Sequence, residues 1–512
     1  MAILTGAFRL PLLLLVLLAT LNSMGASENS TAQGPATGWE EKVAPGLLRE
    51  VETQGEAEFI VFMREQADLS GAERHADKEA KGAYVYGRLT ELARQTQEQL
   101  LEKLLVAGAE HHAFWIANMI WVRGDEEVLE MMASSAQVSA VFDNPRWSLD
   151  PIDTAAPQQE TPATVEPNIT KIEAPDVWAL GATGQGVVIG GQDTGYDWQH
   201  PALRDKYRGW DGVSADHNYN WHDAVHTGGG ICDADVLEPC DDNGHGTHTM
   251  GTMVGDDGGA NQIGVAPDAK WIGCRNMDQG NGTPSTYAEC FEWFLAPTDL
   301  NDENPNPALA PHVINNSWAC PPSENCKEPT ILQAVVENVR AAGIVVVSSA
   351  GNRGPDCGTV QYPPAIYEAT LSVGAVSNDD VIAGFSSRGP VTVDGSNRLK
   401  PDVVAPGVNV RSSFPGGACG TLSGTSMAAP HVAGLVALLI SANPALSGNV
   451  AALEAAIMHS AVPLTSQQTC GAVSGDSIPN HTFGYGRISA LSAYNDANSL
   501  HWYYAPTMFV TR

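Results

Sequence analysis

An aspartate, a histidine and a serine stand in this chain where each can reach a reacting group. Asp193 closes the apolar run "GVVIGGQD" and is followed by Thr194 and Gly195. His245 sits between Gly244 and Gly246 in "DDNGHGTHTMGTMVG", just ahead of an apolar helix. Ser426 falls in "TLSGTSMAAPHVAGLVALLI", where a stretch of small residues turns into a helix. Singly, each has an ordinary explanation: a strand-end turn for Asp193, a helix cap for Ser426. Together they supply a nucleophile, a general base and a carboxylate to orient the base. Asn352, after the apolar strand "VVVSSAGN", adds an amide that can donate to an oxyanion, a contribution of roughly 3–4 kcal/mol in a related case. The small neighbours of Ser426 leave its hydroxyl reachable, and the free N–H groups of its helix favour developing negative charge.

Metal chemistry fits these residues poorly. His245 and His248 are close in sequence, but a zinc-binding H-E-x-x-H needs Glu after the first His, and Gly246 stands there. Glycines on both sides of His245 point instead to close approach by another backbone or a ligand.

The elements that must hold these groups come in two sets. Asp193, Asn352 and the later motifs belong to short apolar runs, "GVVIGGQDTG", "KWIGCRNM", "HVINNSW", "GIVVVSSAGN" and "TLSVGAV", alternating with helical segments such as "TILQAVVENVRAAG". That alternation predicts a doubly wound α/β fold with a parallel sheet, whose sites gather beyond the carboxyl ends of the strands. Upstream, "EAEFIVFMR" reads as a strand and Tyr84 to Gly108 as a long amphipathic helix with Leu89, Leu92, Leu100, Leu101, Leu104 and Leu105 on its apolar face. "AFWIANMIWVRG" reads as two strands turning near Asn118, "EEVLEMMASSA" as a helix and "VSAVFDN" as a strand. The resulting βαββαβ order is that of a small α+β, ferredoxin-like domain over 56–149. Residues 27–55 are expected to be disordered, 150–167 to be a Pro/Thr/Ala/Gln linker, 168–495 the larger domain and 496–512 a tail.

Composition bounds the function. The chain has 512 residues, enough for two to four domains, and 59 Asp plus Glu against 27 Lys plus Arg, a net charge of -32. Such a surface repels phosphate, so nucleic acid is excluded as a partner. Arg9, the apolar run Leu10–Leu21 and the small residues Ser23, Gly25 and Ala26 form a secretory signal over 1–26. No later segment reads as long and apolar enough to span a bilayer, so no membrane is expected after its removal. All 9 cysteines lie between Cys232 and Cys470. Export permits disulfides, and Cys232 with Cys240, Cys274 with Cys290 and Cys320 with Cys326 are near enough to pair, with at least one thiol left over.

The motifs "DTG", "HGTH", "AGN" and "GTSMAAPHVAG" resemble those of the subtilase family of serine peptidases, over roughly Asn168 to Ala493. "YNWHDAV" and "GWDG" are similar to the bacillopeptidase F branch of that family. The resemblance implies a seven-stranded parallel sheet and a secreted (extracellular or periplasmic) serine endopeptidase. Ser426 would be the nucleophile, His245 the base, Asp193 its orienter, and Asn352 with the Ser426 N–H the oxyanion donors. It further implies that Ser317, Trp318 and Ala319 wall one side of the specificity pocket, with Ala350 and Gly351 on the other. Trp318 stands where a smaller apolar residue is usual. The first domain would be an inhibitory propeptide, cut by the enzyme itself between Trp147 and Asn168; a cut near Leu149 would imply a pocket for a bulky apolar residue. Protein or peptide substrates and the chain's own propeptide are the partners implied, for a monomer with no cofactor required for chemistry. Structural calcium is possible, but at the family's calcium position after the catalytic Asp this chain has Ala202.

Two other readings use the same residues. One is a catalytically silent member of the fold that binds proteins; the intact Asp193, His245 and Ser426 set speaks against it. The other is a transpeptidase or ligase, in which an amine rather than water resolves the acyl-enzyme. An acid peptidase of similar fold would carry Glu for His and Asp for the oxyanion donor, which His245 and Asn352 exclude.

Overall fold

The computed structural model describes residues 38–149, 153–154 (backbone only), 165–228, 230–319 and 328–499. The expected signal at 1–26, most of the linker, the Cys320–Cys326 pair and most of the tail lie outside these residues.

The first layer begins earlier than the sequence suggests. Residues 40–54 are not disordered. Helix α1 (Pro45–Gln54) starts on a proline and ends at Gly55, which takes the left-handed conformation (φ 86°) that a helix C-terminus favours. Leu47 and Val51, one turn apart, are buried against the following sheet. Two apolar side chains at that spacing anchor an otherwise polar segment, which composition alone understates. Then come β1 (Ala57–Met63), α2 (Lys78–Ala107), β2 (Glu110–Phe114), β3 (Met119–Gly124), α3 (Glu126–Ala133) and β4 (Val138–Asp143). The four strands form an antiparallel sheet in the order β2-β3-β1-β4. Asp77 caps α2 by accepting the Ala80 N–H at 2.7 Å. The buried face of α2 runs Val85, Leu89, Ala93, Gln97, Leu100 and Leu104. Leu105 lies outside this stripe and is exposed, a departure from the expected face, because a step of one residue rotates it by about 100°.

Two short strands follow, β5 (Trp147–Ser148) and β6 (Asp153–Thr154), then α4 (Pro167–Lys171) and α5 (Ala174–Ala179). The large domain continues with β7 (Val188–Asp193), β8 (Trp221–Asp223), α6 (His245–Val254), β9 (Lys270–Arg275), β10 (Met277–Asp278), β11 (Asn281–Gly282) and α7 (Pro284–Leu295). It is completed by β12 (Val313–Asn316), α8 (Gln333–Ala341), β13 (Val345–Ser349), β14 (Leu371–Val376), β15 (Val403–Pro406), β16 (Val410–Phe414), β17 (Ala418–Ser423), α9 (Thr425–Ala442), α10 (Val450–His459) and α11 (Ala490–Ala497).

Seven of these strands make the expected parallel sheet, in the order β15-β14-β13-β12-β7-β9-β8. Its strands read as continuous apolar runs because both faces are covered. One face packs on α6, α9 and α11, with Met250, Val432, Leu435 and Val436 in that core. The other packs on α7 and α8, with Phe291, Phe294, Val335 and Val339. Helix α9 is long and apolar enough to cross a bilayer, contrary to the expectation that no such segment follows the leader. Its residues from Thr425 to Ile440 are all buried; a central core helix carries the same apolar signature as a span.

Candidate active site

The site forms where β7, α6, β13 and α9 meet beyond the carboxyl edge of the sheet. Asp193 is the last residue of β7 and His245 the first of α6. Their side chains are 1 % exposed, and His245 Nδ1 lies 2.7 Å from Asp193 Oδ1. The same carboxylate accepts from the Thr194 N–H at 2.8 Å and more distantly from Thr249 Oγ1 at 3.4 Å. With its carboxylate partner accepting, Nδ1 carries the proton, which leaves Nε2 as the lone-pair nitrogen. Nε2 is buried and has no hydrogen-bond partner among the described residues.

The turn before α6 is pinned by Asp241, a residue the sequence did not single out. It accepts from Thr194 Oγ1 (2.9 Å), Gly244 N (2.8 Å) and Thr247 N (3.0 Å), tying the ends of β7 and α6 together. Burial pushes its carboxyl up, against those hydrogen bonds. Gly246 is required by proximity: a Cβ there would collide with the Gly195 carbonyl. Gly246 thus answers to a neighbouring backbone, whereas Gly244 answers to its left-handed φ of 95° and to the Phe414 ring. His248 takes no part in the site. Its Nε2 donates to the Val410 carbonyl at 3.0 Å, and burial pushes its pKa down to about 3.

Ser426 is the second residue of α9, and Gly424 is the N-cap, so Ser426 is not the capping serine of its helix. Its hydroxyl donates to the Ser317 carbonyl at 3.0 Å, while the Ser317 hydroxyl donates to the Ser426 carbonyl at 2.9 Å. Asn315 Nδ2 donates in turn to Ser317 Oγ at 2.9 Å. Asn315 is 1 % exposed, which explains why its glycosylation sequon sits at a place closed to modification.

Asn352 is held by the helix that carries Ser426. Its Oδ1 accepts from Thr425 N at 2.9 Å and from Thr425 Oγ1 at 2.8 Å. With Oδ1 so committed, Nδ2 faces the other way. A Cβ built on Gly424 would lie 3.5 Å from Asn352 Nδ2 and 3.7 Å from Ser426 N. The two nitrogens therefore border one small space, kept clear because residue 424 has no side chain. Its φ of 170° is extended backbone, so the glycine serves space and not conformation.

Ala350 and Gly351 lead into Asn352, and the Gly351 N–H donates to Thr425 Oγ1 at 3.2 Å. Ser317, Trp318 and Ala319 are all buried. The Trp318 ring stacks on Tyr287, with centroids 3.6 Å apart and 20° between planes. Leu149 packs against the cluster that contains Tyr287, Trp318 and Ala350.

The first domain reaches this cleft directly. Strand β5 pairs antiparallel with β11, Trp147 opposite Gly282 and Ser148 opposite Asn281. The Leu149 N–H donates to the Gly280 carbonyl at 2.8 Å. Strand β6 pairs with β17, the strand that leads into the helix of Ser426, with Asp153 opposite Ser423 and Thr154 opposite Leu422. Asn144 fixes the approach, its amide exchanging hydrogen bonds with Ser285 N (3.1 Å) and Oγ (3.0 Å).

No metal fits the position expected for calcium. Ala202 is buried, lacks a carboxylate, and its carbonyl accepts the Asp256 N–H at 3.0 Å. Among the described residues no three His, Cys, Asp or Glu are grouped to hold a metal ion. The disulfides join Cys232 to Cys240, Cys274 to Cys290 and Cys357 to Cys470, and Cys419 is free.

A model of the subtilase family matches residues 184–486. Bacillopeptidase F of Bacillus subtilis (strain 168) is 34% identical over 487 residues, covering 88% of this chain and 32% of that protein. Subtilisin E of the same strain is 33% identical over 279 residues, 54% of this chain and 61% of that protein. Thermophilic serine proteinase of Bacillus sp. (strain AK1) is 31% identical over 429 residues, 81% of this chain and 88% of that protein. The chain thus spans about a third of the first relative's length and about three fifths of the second's.

Proposed function

The chain belongs to the subtilase family, and on that footing we propose that it is a serine endopeptidase acting through an acyl-enzyme on Ser426. The observation that carries the reading is the buried Asp193–His245 pair, 2.7 Å apart, with Nε2 buried and unpartnered among the described residues. In the proposed reaction a substrate displaces the Ser426 hydroxyl from the Ser317 carbonyl. His245 Nε2 takes its proton as Oγ bonds to the scissile carbonyl carbon. Asp193 holds the imidazole by Nδ1–H and stabilises the imidazolium. Asn352 Nδ2 and Ser426 N donate to the oxyanion. Collapse expels the amine with the proton from His245, and water then repeats the sequence to free the acid.

The finer part of the proposal is that the protein is exported by its leader and made as a zymogen. Residues 56–149 would inhibit in cis and be removed by the enzyme itself. This is supported by β5, which pairs with β11, and by β6, which pairs with β17, the strand that leads into the helix of Ser426. The processing bond we propose is one of those between Leu149 and Asp153. The three disulfides among the described residues fit an oxidising compartment.

The test is the intact mass of the secreted chain beside its Ser426→Ala variant. A wild type that has lost its residues up to 149–153, with the variant covalently whole, supports the proposal. Identical processing of both would assign the cut to another protease and leave the peptidase reading to a turnover assay. A precursor that stays whole in both sinks the zymogen.

A further inference from the structure

Beyond the reacting groups, the cleft holds two buried carboxylates that no step of the reaction uses. Asp278, at the end of β10, is 10 % exposed and Asp242 is 1 % exposed. Among the described residues the cation beside Asp242 is Arg275, whose Nη1 stands 3.8 Å from Asp242 Oδ2. Nη1 has no hydrogen-bond partner among the described residues, and the other donors of that guanidinium are committed elsewhere. Its Nε donates to Asp223 Oδ1 at 3.0 Å and its Nη2 to the Asp233 carbonyl at 2.8 Å. Asp242 Oδ1 accepts the Gln279 N–H at 3.0 Å, but Asp242 Oδ2 and Asp278 Oδ1 have no hydrogen-bond partner among the described residues. Burial, with Asp278 and Asp241 adding to it, pushes the Asp242 carboxyl up to about 6. Within the large domain, Asp242 has one cation at a distance, and that cation also serves Asp223, which leaves uncompensated negative charge at Asp242 and Asp278, a costly state.

The first domain supplies the missing cation. Arg146 Nη2 donates to Asp278 Oδ2 at 2.9 Å. Arg146 immediately precedes β5, the strand that pairs with β11 and that an extended substrate would replace once the first domain leaves. Its place is therefore defined by the cleft's own register: Trp147 opposite Gly282, Ser148 opposite Asn281, Leu149 on the Gly280 carbonyl. Any extended peptide in that register brings the residue three positions before Leu149's place over Asp278.

Resting on the peptidase reading above, we infer that Asp278, backed by Asp242, is a specificity subsite for an arginine or lysine of the substrate, filled in cis by Arg146 before processing. When the first domain leaves, the subsite is vacated and its negative charge selects the next basic residue. The guanidinium is 58 % exposed, so solvent screens the contact and the selection is moderate, roughly tenfold rather than thousands.

The test uses the full chain after it has processed itself, assayed on fluorescein-labelled casein. Peptides copying Asn144–Leu149, with Arg, Ala or Glu in the third place, compete as inhibitors. The Arg peptide should bind about tenfold more tightly than the Ala peptide, and the Glu peptide more weakly still. Asp278→Asn should erase the difference between Arg and Ala. Equal inhibition by the Arg and Ala peptides on the wild type overturns the subsite, and this comparison needs no variant to fold. So does a preference that survives Asp278→Asn. Casein hydrolysis without inhibitor reads the peptidase assignment separately; its absence sinks that assignment and the subsite with it.

Discussion

Glu292, on α7 of the large domain, accepts the backbone N–H of Trp115 at 2.7 Å and of Ile116 at 2.8 Å from the turn between β2 and β3. One half-buried carboxylate thus satisfies two donors of the other domain. Burial pushes it up to about 8, against those two N–H groups, with the neighbouring Glu289 adding to the rise and His222 opposing it. The docked state favours the protonated form. Its contribution is present in full below the ordinary carboxyl range and is lost as pH rises through about 8. Affinity of the separated first domain for the processed enzyme should therefore fall between pH 5 and 9. Glu292→Gln should flatten that fall, and Glu292→Ala should weaken docking by about 2–4 kcal/mol through two orphaned N–H groups. Inhibition constants across pH check this; an unchanged slope in Glu292→Gln would falsify it.

Gly424 separates space from conformation at the proposed oxyanion site. Its φ of 170° suits any residue, so Gly424→Ala should fold normally. Its methyl group would stand 3.5 Å from Asn352 Nδ2 and so crowd an oxyanion. We expect kcat to fall by roughly 10–100-fold with KM little changed, and Asn352→Ala to cost about 100–1,000-fold. Full activity in both would remove Asn352 from the reaction.

Two imidazoles in the core make the fold sensitive to acid. His431 donates Nδ1–H to the Met427 carbonyl (2.9 Å) and accepts from Asn168 Nδ2 at Nε2 (2.8 Å), both as a neutral ring. Burial pushes it down to about 4, and His248 to about 3. The unfolded chain takes up these protons near pH 6.5, the native one only well below. Stability is therefore complete above about 6.5 and is lost as pH falls toward 4, by a few kcal/mol in order of magnitude. Melting of the Ser426→Ala precursor should drop over that window, and less steeply in His431→Asn. An equally steep drop in that variant would place the acid-sensitive groups elsewhere.

The Cys357–Cys470 bridge closes a loop of 113 residues. Loop-closure entropy gives it the largest effect among the three, about 4–5 kcal/mol. Cys357→Ala with Cys470→Ala should lower the denaturation midpoint well below that of the Cys232 and Cys240 pair removed together. A smaller loss than for that short loop would argue against the entropic account.

The larger domain's fold was legible in the sequence because its strands are buried on both faces and read as unbroken apolar runs; β8, of three residues, and β15, which is closed by Pro406 and preceded by Pro401, did not read as such runs. The motif residues were legible because each marks the end of such a strand or the start of a helix. The family followed from the spacing of those motifs. Helix α1 was missed because only Leu47 and Val51 anchor it.

Only the tertiary structure could decide the contacts made across the chain. It turns the Ser426 hydroxyl onto the Ser317 carbonyl, 109 residues away. It pairs Cys357 with Cys470 and leaves Cys419 alone. It sets Glu292 under the first domain's backbone and Asp278 under Arg146, 132 residues apart. Periodicity and motif spacing are local properties of a chain. Which buried carboxylate meets which donor depends on how two domains close on one cleft, and that distance has no trace in sequence order.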